Sequence, residues 1–336
     1  MKKMFAFLLL FALLASCTGT GAGAEAKTVN IVTTIFPIYD WVRETVGGDA
    51  SHVSITLLLD NGIDLHSYQP AAQDILAIST ADLFVYVGGE SDEWVEDVLQ
   101  SAMNPDLRAI NLVEAMGEEI KTEEIVEGME HDHEEEEDHE EHDHEESGEH
   151  DHDHGHEDEA DEHVWLSLRN AGKLTKVIAD TLSEIDPDYA DRYQANADAY
   201  IGRLTDLDAR YAETVGSSAY QTLLFGDRFP FRYLADDYGL TYYAAFSGCS
   251  AESEASFRTI VFLAQKVDEL GLPAVMTIEH PKTRIAETII QNTSAKDLKI
   301  LAMDSMQGTT ASEIQAGTTY LSVMEANLEV LKEALN

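Results

Sequence analysis

The residues best suited to metal chemistry are concentrated in one segment, residues 130–162. Of its 33 residues, 20 are acidic and 9 are histidine, and none is lysine or arginine. Near neutral pH most of these imidazoles are neutral and the carboxylates are ionised, so both can donate lone pairs to a divalent cation. The histidines are His131, His133, His139, His142, His144, His150, His152, His154 and His156.

Residues 130–162 cannot form a folded unit by themselves, because Ala160 is their one apolar side chain that could be buried. A histidine- and acid-rich tract of this kind is typical of flexible metal-binding segments. The composition therefore predicts a high-capacity, low-affinity metal loop. A solvated, charged linker without a metal role is the alternative explanation for the same composition.

The charge of the whole chain excludes one large class of partner. The 336 residues include 64 Asp and Glu against 21 Lys and Arg, a formal net charge of −43. Without residues 130–162 the remaining 303 residues still carry −23. Such a surface repels nucleic-acid phosphates, so nucleic acid is not expected as a partner. The 44% hydrophobic content predicts that the rest of the chain folds around substantial cores.

The first 26 residues predict export and a lipid anchor. Two lysines precede an apolar run over residues 4–15. This run has the length of the apolar segment of a signal peptide and is shorter than a membrane-spanning helix requires. The tetrapeptide Leu14-Ala15-Ser16-Cys17 resembles a bacterial lipobox, which predicts a signal peptide over 1–16 and lipidation of Cys17. Because Cys249 is the only other cysteine, no intrachain disulfide is expected in the lipidated chain.

The elements that must position the functional residues alternate along the remaining sequence. Short apolar, β-branched runs predict strands over 29–35, 53–59, 83–87, 222–225, 241–246, 274–278 and 299–303. Helical patterns lie over 38–46, 71–79, 93–100, 168–185, 187–211, 231–238, 256–270, 282–292 and, with leucines and a methionine at steps of three and four, over 321–335. This alternation predicts two α/β lobes with parallel sheets, joined by long helices, with a ligand cleft between the lobes.

These boundaries predict a division of the chain into five parts. They are a signal peptide (1–16), a lipidated tether (17–26), an N-terminal α/β lobe (27–167, carrying the 130–162 insert), a linking helix (168–186) and a C-terminal α/β lobe (187–336).

Several stretches of the sequence resemble one family, the solute-binding lipoproteins of bacterial ABC importers for zinc and manganese (cluster A-I). Residues 33–40 (TTIFPIYD) are similar to the family's opening strand and turn, and residues 62–70 (GIDLHSYQP) to its first metal-ligand loop. Residues 81–89 (ADLFVYVGG) resemble its third strand, and residues 161–166 (DEHVWL) its second ligand motif, which follows an acidic, histidine-rich loop. The resemblance extends over residues 27–336 and is more specific in the first half.

The resemblance implies a metal site with ligands from both lobes. His66 and His163 would supply nitrogen from the N-terminal lobe, and Asp304, after the last strand, would supply oxygen from the C-terminal lobe. Neutral imidazole suits zinc, and carboxylate shifts the preference toward harder ions such as manganese. A surface or capping histidine, and a turn or N-cap aspartate, are the alternative roles for these side chains.

The third ligand is where the sequence departs from the family. The family has a histidine or glutamate just after the first strand of the C-terminal lobe, and this region (residues 225–231) reads FGDRFPF, without a histidine. Asp227 is the best donor there, but counting back from the following Tyr-Gly-Leu places Arg228 at the ligand position. A structural partner of Arg228, or a cap, is the alternative role for Asp227.

Three further residues are candidates near the same cleft. The family's Gly-x-Ser-Pro segment corresponds here to residues 248–251 (GCSA), which brings Cys249 close to the cleft. This thiol is an inert buried side chain, a soft metal ligand in place of the missing histidine, or a redox-sensitive group. The resemblance implies a supporting role beside the ligands for Glu279, and His280 is a reserve ligand.

Together these features predict a receptor that is not an enzyme: it captures Zn²⁺ with high affinity outside the cytoplasm and delivers it to an ABC transporter permease. A manganese receptor of the same fold is the alternative, although the histidine-rich insert favours zinc. A zinc hydrolase is disfavoured because no His-Glu-x-x-His helix or other recognised catalytic zinc motif is present.

The expected location is the outer face of the cell membrane, or the periplasmic side in a Gram-negative cell, through the lipid on Cys17. We expect a monomer with the permease as its protein partner. An additional role as an adhesin or an extracellular metal buffer stays open.

Overall fold

The computed structural model of the chain describes residues 28–48, 50–129, 159–250, 254–279 and 283–336. The predicted signal peptide, the lipidation site Cys17, the nine histidines of the insert and the reserve ligand His280 lie outside the described residues. Among the helices in these ranges, none combines the length and the apolar character that crossing a bilayer requires.

The first half of the chain forms a four-stranded parallel sheet in the order β2-β1-β3-β4. Its strands are β1 (Val29–Thr33), β2 (Val53–Leu57), β3 (Leu83–Tyr86) and β4 (Arg108–Asn111). The helices that follow them are α1 (Phe36–Val46), α2 (Ala72–Ser79), α3 (Trp94–Gln100) and α4 (Leu112–Met116). The two central strands, β1 and β3, are almost entirely buried, as expected where helices cover both faces of a parallel sheet.

The second half repeats this topology in a sheet of order β6-β5-β7-β8, again parallel throughout. Its strands are β5 (Thr222–Phe229), β6 (Thr241–Ser247), β7 (Ala274–Ile278) and β8 (Lys299–Met303), and its helices are α7 (Arg232–Tyr238), α8 (Phe257–Leu270), α9 (Arg284–Asn292), α10 (Ala311–Gln315) and α11 (Tyr320–Ala334). Two parallel sheets with intervening helices confirm the predicted α/β fold.

Two long helices join the sheets. Helix α5 (Leu168–Ile185) begins at Ser167, whose side chain accepts a hydrogen bond from the backbone N–H of Asn170, and its bounds lie within one residue of the predicted linking helix. Helix α6 (Ala190–Ser217) is 28 residues long and packs along α5, and it also contacts α1 and α11. It therefore links elements of both halves of the chain.

The C-terminal helix α11 returns to the first half of the chain and packs on it. Tyr320 is fully buried, its ring meets Trp41 edge-on at 5.3 Å between centroids, and its hydroxyl donates to the carbonyl of Trp165 at 2.7 Å. Its backbone N–H donates to the Asp40 carboxylate at 2.8 Å. One continuous hydrophobic core consequently includes residues from both sheets.

The structure differs from the sequence prediction in several elements, and the short helices α4 and α10 were among those not predicted. Strand β4 was not predicted, because only Ile110 among its four residues is buried and the apolar signal is correspondingly weak. Strand β5 continues to Phe229 through an irregularity between Phe225 and Arg228, whereas the prediction ended it at Phe225. Helix α6 extends to Ser217, six residues beyond the predicted end.

Candidate metal centre

The predicted ligand His66 lies in a short 3-10 turn, Leu65–Ser67, in the connection that follows strand β2. The turn begins at Asp64, whose carboxylate accepts a hydrogen bond from the backbone N–H of His66 at 3.0 Å. Nδ1 of the ring lies 2.7 Å from the Ser91 hydroxyl, beyond the end of strand β3. With the backbone and one ring nitrogen held, the other nitrogen, Nε2, has a fixed direction.

His163 is completely buried at the start of a second 3-10 turn, Val164–Leu166. One oxygen of Asp161 accepts both its backbone N–H, at 2.9 Å, and its ring Nδ1, at 2.8 Å. Because the carboxylate can only accept, Nδ1 carries the proton and Nε2 of the neutral ring carries the lone pair. This carboxylate–histidine pair is the arrangement that orients imidazole ligands in metal sites.

The two imidazoles aim their Nε2 atoms at each other across a distance of 3.3 Å. Zn–N bonds of about 2.0–2.1 Å at a tetrahedral angle place two nitrogen ligands about 3.3–3.4 Å apart. The observed separation therefore fits two nitrogen ligands of one tetrahedral ion.

Burial keeps His66 in its metal-binding form. It is the main reason that the pKa of His66 falls from 6.5 to about 3, with the charge of a protonated His163 as the next contribution. His66 is therefore neutral near pH 7, as a nitrogen ligand must be. The neighbouring Glu162 is 2% exposed; burial raises its pKa, and one of its oxygens accepts the backbone N–H of Ser91 at 2.8 Å.

The third donor that the structure brings to this point is Cys249, which follows strand β6. Its sulfur and one nitrogen from each of His66 and His163 all lie within 4.8 Å of one another. Among the described residues no carboxylate joins this group. Burial, followed by the charge of Glu123, raises the pKa of the thiol above its ordinary value. The sequence left three roles open for Cys249, and its position next to both imidazoles favours the ligand role.

The loop that carries Cys249 lies tightly against His163. A Cβ added to Gly248 would lie 3.0 Å from Cε1 of the His163 ring and 3.1 Å from the carbonyl oxygen of Phe229. Such a Cβ would be in tighter contact than is usual, so the His163 ring or the loop would have to shift by a few tenths of an ångström. The backbone N–H of Cys249 donates to the Glu123 carboxylate at 2.9 Å, which anchors the same loop.

The end of strand β5, where the third family ligand was expected, carries an ion pair instead. The Arg228 guanidinium binds Asp64, the residue that caps the His66 turn. Although burial opposes it, this hydrogen bond and charge hold the pKa of Asp64 below its ordinary value. Asp227 accepts the backbone N–H groups of Arg228 at 2.9 Å and Ile278 at 3.4 Å. These contacts agree with the alternative that Asp227 is a structural partner of Arg228, and its role as a ligand stays a prediction.

The predicted ligand Asp304 lies directly after strand β8, and one of its oxygens accepts the backbone N–H of Met306 at 2.8 Å. It is outside the group of three donors, so its ligand role also stays a prediction.

Glu279 supports the same loop: its two oxygens accept the backbone N–H and the hydroxyl of Ser305, at 2.6 and 2.5 Å. Burial, and then the charge of Asp304, raises the pKa of Glu279 to about 7. The carbonyl of Ser305 accepts the indole N–H of Trp165 at 2.9 Å, which connects this loop to the His163 turn.

Sequence reasoning missed the residues that orient the two histidines. A signal was nevertheless present, since an aspartate lies two residues before each histidine, in Asp64-Leu65-His66 and Asp161-Glu162-His163. Both aspartates accept the backbone N–H of their histidine, and Asp161 also binds the ring. Ser91 had no comparable signal, because it reaches His66 from another strand end.

Comparison with known proteins places this chain in one family. Residues 31–334 match the family described as the zinc-uptake complex component A, periplasmic. The zinc-binding protein AdcA of Streptococcus pyogenes serotype M6 is 31% identical over 309 residues, and the zinc-binding lipoprotein AdcA of Streptococcus pneumoniae strain R6 is 33% identical over 310. Both alignments cover 92% of this chain, which spans 56% of the length of these two relatives. The high-affinity zinc uptake system protein ZnuA of Bacillus subtilis strain 168 is 29% identical and aligns over 99% of this chain and 97% of its own length.

Solved structures agree with this result. The Zn(II)-bound ZnuA-like domain of Streptococcus pneumoniae AdcA is 28% identical, with a TM-score of 0.68, and covers 92% of this chain and 99% of its own. The metal-dependent lipoprotein YcdH of Bacillus subtilis is 25% identical, with a TM-score of 0.71 and the same coverage of both chains. The family description is that of an uptake component and not of an enzyme, in agreement with the sequence prediction. The motifs quoted from the sequence resemble members of this family. The chain therefore belongs to the family described as the zinc-uptake complex component A, periplasmic.

Proposed function

We propose that this chain is an extracytoplasmic receptor that binds one Zn²⁺ ion with high affinity and delivers it to the permease of an ABC transporter. The observation that carries the proposal is the pair of Nε2 atoms 3.3 Å apart, each on a ring whose Nδ1 is already engaged. When the Ser91 hydroxyl accepts the hydrogen bond of the His66 Nδ1–H, both Nε2 atoms present lone pairs, and these repel each other unless an electrophile lies between them. A divalent cation that accepts both is the simplest ligand for this arrangement.

In this proposal His66 and His163 are the nitrogen ligands of the ion. Asp304 and Asp227 stay candidates for an oxygen ligand from the second half of the chain, and Glu279 supports the loop of Asp304. His66 follows strand β2 of the first sheet and Asp304 follows strand β8 of the second, so an ion bound by both joins the two halves. Release to a permease then requires these strand-end loops to separate.

Zinc is favoured as the cargo over manganese. Imidazole donors suit zinc, whereas manganese prefers carboxylate, carbonyl and water ligands. The relatives in Streptococcus pyogenes and Streptococcus pneumoniae are named zinc-binding proteins, and the related ZnuA-like domain was solved with Zn(II) bound. Manganese stays the alternative cargo of the same site.

The location follows from the sequence and from the names of the relatives. The family is described as periplasmic, and the pneumococcal relative is named a lipoprotein, which supports an anchor through Cys17. We propose that the mature chain acts as a monomer at the membrane, next to its permease, and that the histidines of residues 131–156 collect zinc weakly close to the main site.

The described ends of the insert support this placement of the zinc-collecting loop. The backbone N–H of Glu123 donates to the carbonyl of Glu159 at 2.7 Å, and Thr122 and Ala160 form an isolated antiparallel bridge. Glu123 also holds the backbone of Cys249. The insert is thus attached next to the proposed site, and metal released from it has a short path to the ligands.

The proposal is tested by replacing both histidines with alanine in a chain that lacks residues 130–158, which removes weak binding by the insert. We expect isothermal titration to give one tight site per chain before the replacement and none after it. His52 offers a matched control: it is a partly buried histidine that binds Asp186 at 3.0 Å and precedes strand β2, at the opposite end of the sheet. His52→Ala should leave zinc binding unchanged. Stoichiometric tight binding by the His66→Ala, His163→Ala variant would contradict the proposal.

A further inference from the structure

We propose that Cys249 is the third protein ligand, so that the ion is held by two imidazoles and one thiolate. This inference rests on the proposed function, because it assumes that the cleft binds a metal ion. It also assigns a cause to the selectivity of the site: a thiolate prefers zinc and other soft or borderline cations and disfavours manganese.

The positions of the donor atoms support a mixed nitrogen and sulfur site. With Zn–N bonds of about 2.0–2.1 Å and a Zn–S bond of about 2.3 Å, a tetrahedral ion places nitrogen and sulfur ligands about 3.6 Å apart. The sulfur of Cys249 already lies within 4.8 Å of a nitrogen of each ring. A movement of about 1 Å closes the remaining distance, and a rotation of the cysteine side chain can supply it.

The backbone around Cys249 brings the thiol close to the two imidazoles. Gly248 lets the chain pass so close to the His163 ring that a Cβ there would lie 3.0 Å from Cε1. The carboxylate of Glu123 fixes the backbone N–H of Cys249. The thiol is therefore brought to the imidazoles by a defined loop and not by chance proximity of a flexible segment.

The neighbouring strand end carries a cation at the position where the third family ligand, a histidine or glutamate, was expected. Arg228 pairs with Asp64, the residue that caps the His66 turn. Because Arg228 is held by this ion pair and has no lone pair to donate, the expected ligand position is left to another donor. Among the described residues, the thiol of Cys249 is the further donor that lies within 4.8 Å of both rings.

Cobalt is a suitable probe, because Co²⁺ occupies zinc sites and a cysteine thiolate bound to it gives an intense charge-transfer absorption in the near ultraviolet. The experiment uses the full chain with Cys17→Ser, which leaves Cys249 as the one thiol. We expect this protein to show the charge-transfer band at one Co²⁺ per chain, and we expect Cys249→Ser to lack it. Zinc affinity should fall by at least about 100-fold in Cys249→Ser, which exceeds the usual effect of an outer-shell partner.

Two further variants separate ligation from folding. Cys249→His should restore tight zinc binding without the charge-transfer band, because it returns a nitrogen donor to the same position. Asp186→Asn, which changes a partner of His52 at the opposite end of the sheet, should keep the band. If Cys249→Ser does not fold, as judged by circular dichroism, the cobalt spectrum of the Cys17→Ser protein decides alone.

The outcomes distinguish this inference from the proposed function. Tight cobalt and zinc binding without a charge-transfer band would overturn the thiolate ligand and leave the zinc receptor intact. Wild-type zinc affinity in a folded Cys249→Ser protein would do the same. Failure of the parent protein to bind either metal would overturn the proposed function itself.

Discussion

The contact between Asp161 and His163 allows the sharpest quantitative prediction. Both side chains are buried, at 3% and 0% exposure, and the carboxylate lies 2.8 Å from Nδ1 of the ring. The same oxygen accepts the backbone N–H of His163 at 2.9 Å. Because no solvent can replace this acceptor, the Asp161→Asn change acts directly on the orientation and protonation of the ring.

Asparagine at this position weakens the site in two ways. Its amide oxygen is a neutral and therefore weaker acceptor than the carboxylate, and its NH₂ group, if turned toward the ring, forces the proton of His163 onto Nε2. A ring protonated at Nε2 has no lone pair to offer at the 3.3 Å gap facing His66. Loss of an outer-shell partner of this kind costs about 10–100-fold in metal affinity, which corresponds to roughly 1.4–2.8 kcal/mol of binding free energy.

The assay is competition for Zn²⁺ against a chromophoric chelator of known affinity, with metal-free protein at pH 7.5. Asp186→Asn is the matched control, since Asp186 binds His52 at 3.0 Å in a similar pair remote from the strand ends of the site. That variant should change the zinc dissociation constant by less than about 2-fold, as distant independent sites do. If Asp161→Asn also stays within about 2-fold of the parent, the assignment of His163 as an oriented ligand is wrong.

Three other perturbations test separate parts of the structure. Burial raises the pKa of Asp92 from 3.8 to about 7, so its protonated form stabilises the fold at low pH and this stability is lost as the pH rises through 7. Asp92→Asn should accordingly raise the melting temperature of the metal-free chain at pH 8, on the order of 2 °C, and much less at pH 5; an equal shift at both values would exclude titration as the cause. Gly248→Ala should weaken zinc binding in the chelator assay by about 10-fold, because the added methyl group displaces the loop from His163, and unchanged affinity would show that the close contact is dispensable. Deletion of residues 130–158 should leave one tight site and remove the weak ones in a calorimetric titration, whereas loss of the tight site would mean that the insert supplies a ligand.

The sequence predicted most elements of the fold because their signals are local. Strands such as β7, which is buried along its whole length, appear as uninterrupted apolar runs. The end of strand β5 was harder to predict from the sequence, because Gly226-Asp227-Arg228 has the composition of a turn. The structure keeps these residues in the strand because helix α9 packs there so closely that a Cβ on Gly226 would lie 2.7 Å from the backbone of Ala286. That requirement depends on a residue sixty positions away, and no local pattern expresses it.

The candidate site divides in the same way. His66 and His163 were predicted from motifs in which the ligand, its capping aspartate and the following turn are adjacent in sequence. The group with Cys249 could not be ranked first from the sequence, because it depends on the distance between the ends of strands in two different sheets. The choice between Asp227 and Arg228 likewise required knowing that Arg228 binds Asp64, 164 residues away.

The packing between the two halves of the chain determines which parts of the site can discriminate between metal ions. Helix α6 runs unbroken for 28 residues and contacts α1 and α11, and Tyr320 binds the backbone of Trp165 while its own backbone binds Asp40. A domain-closure mechanism needs a few residues that absorb a large change in backbone angles, and a continuous helix packed on both halves does not provide them. The loops after the strands are the parts of the site held by side-chain hydrogen bonds, through Asp64, Asp161, Glu123 and Glu279. Discrimination between zinc and a harder cation therefore depends on the identity of the donors that these loops present, and in this chain the donor that differs most from a carboxylate is the thiol of Cys249.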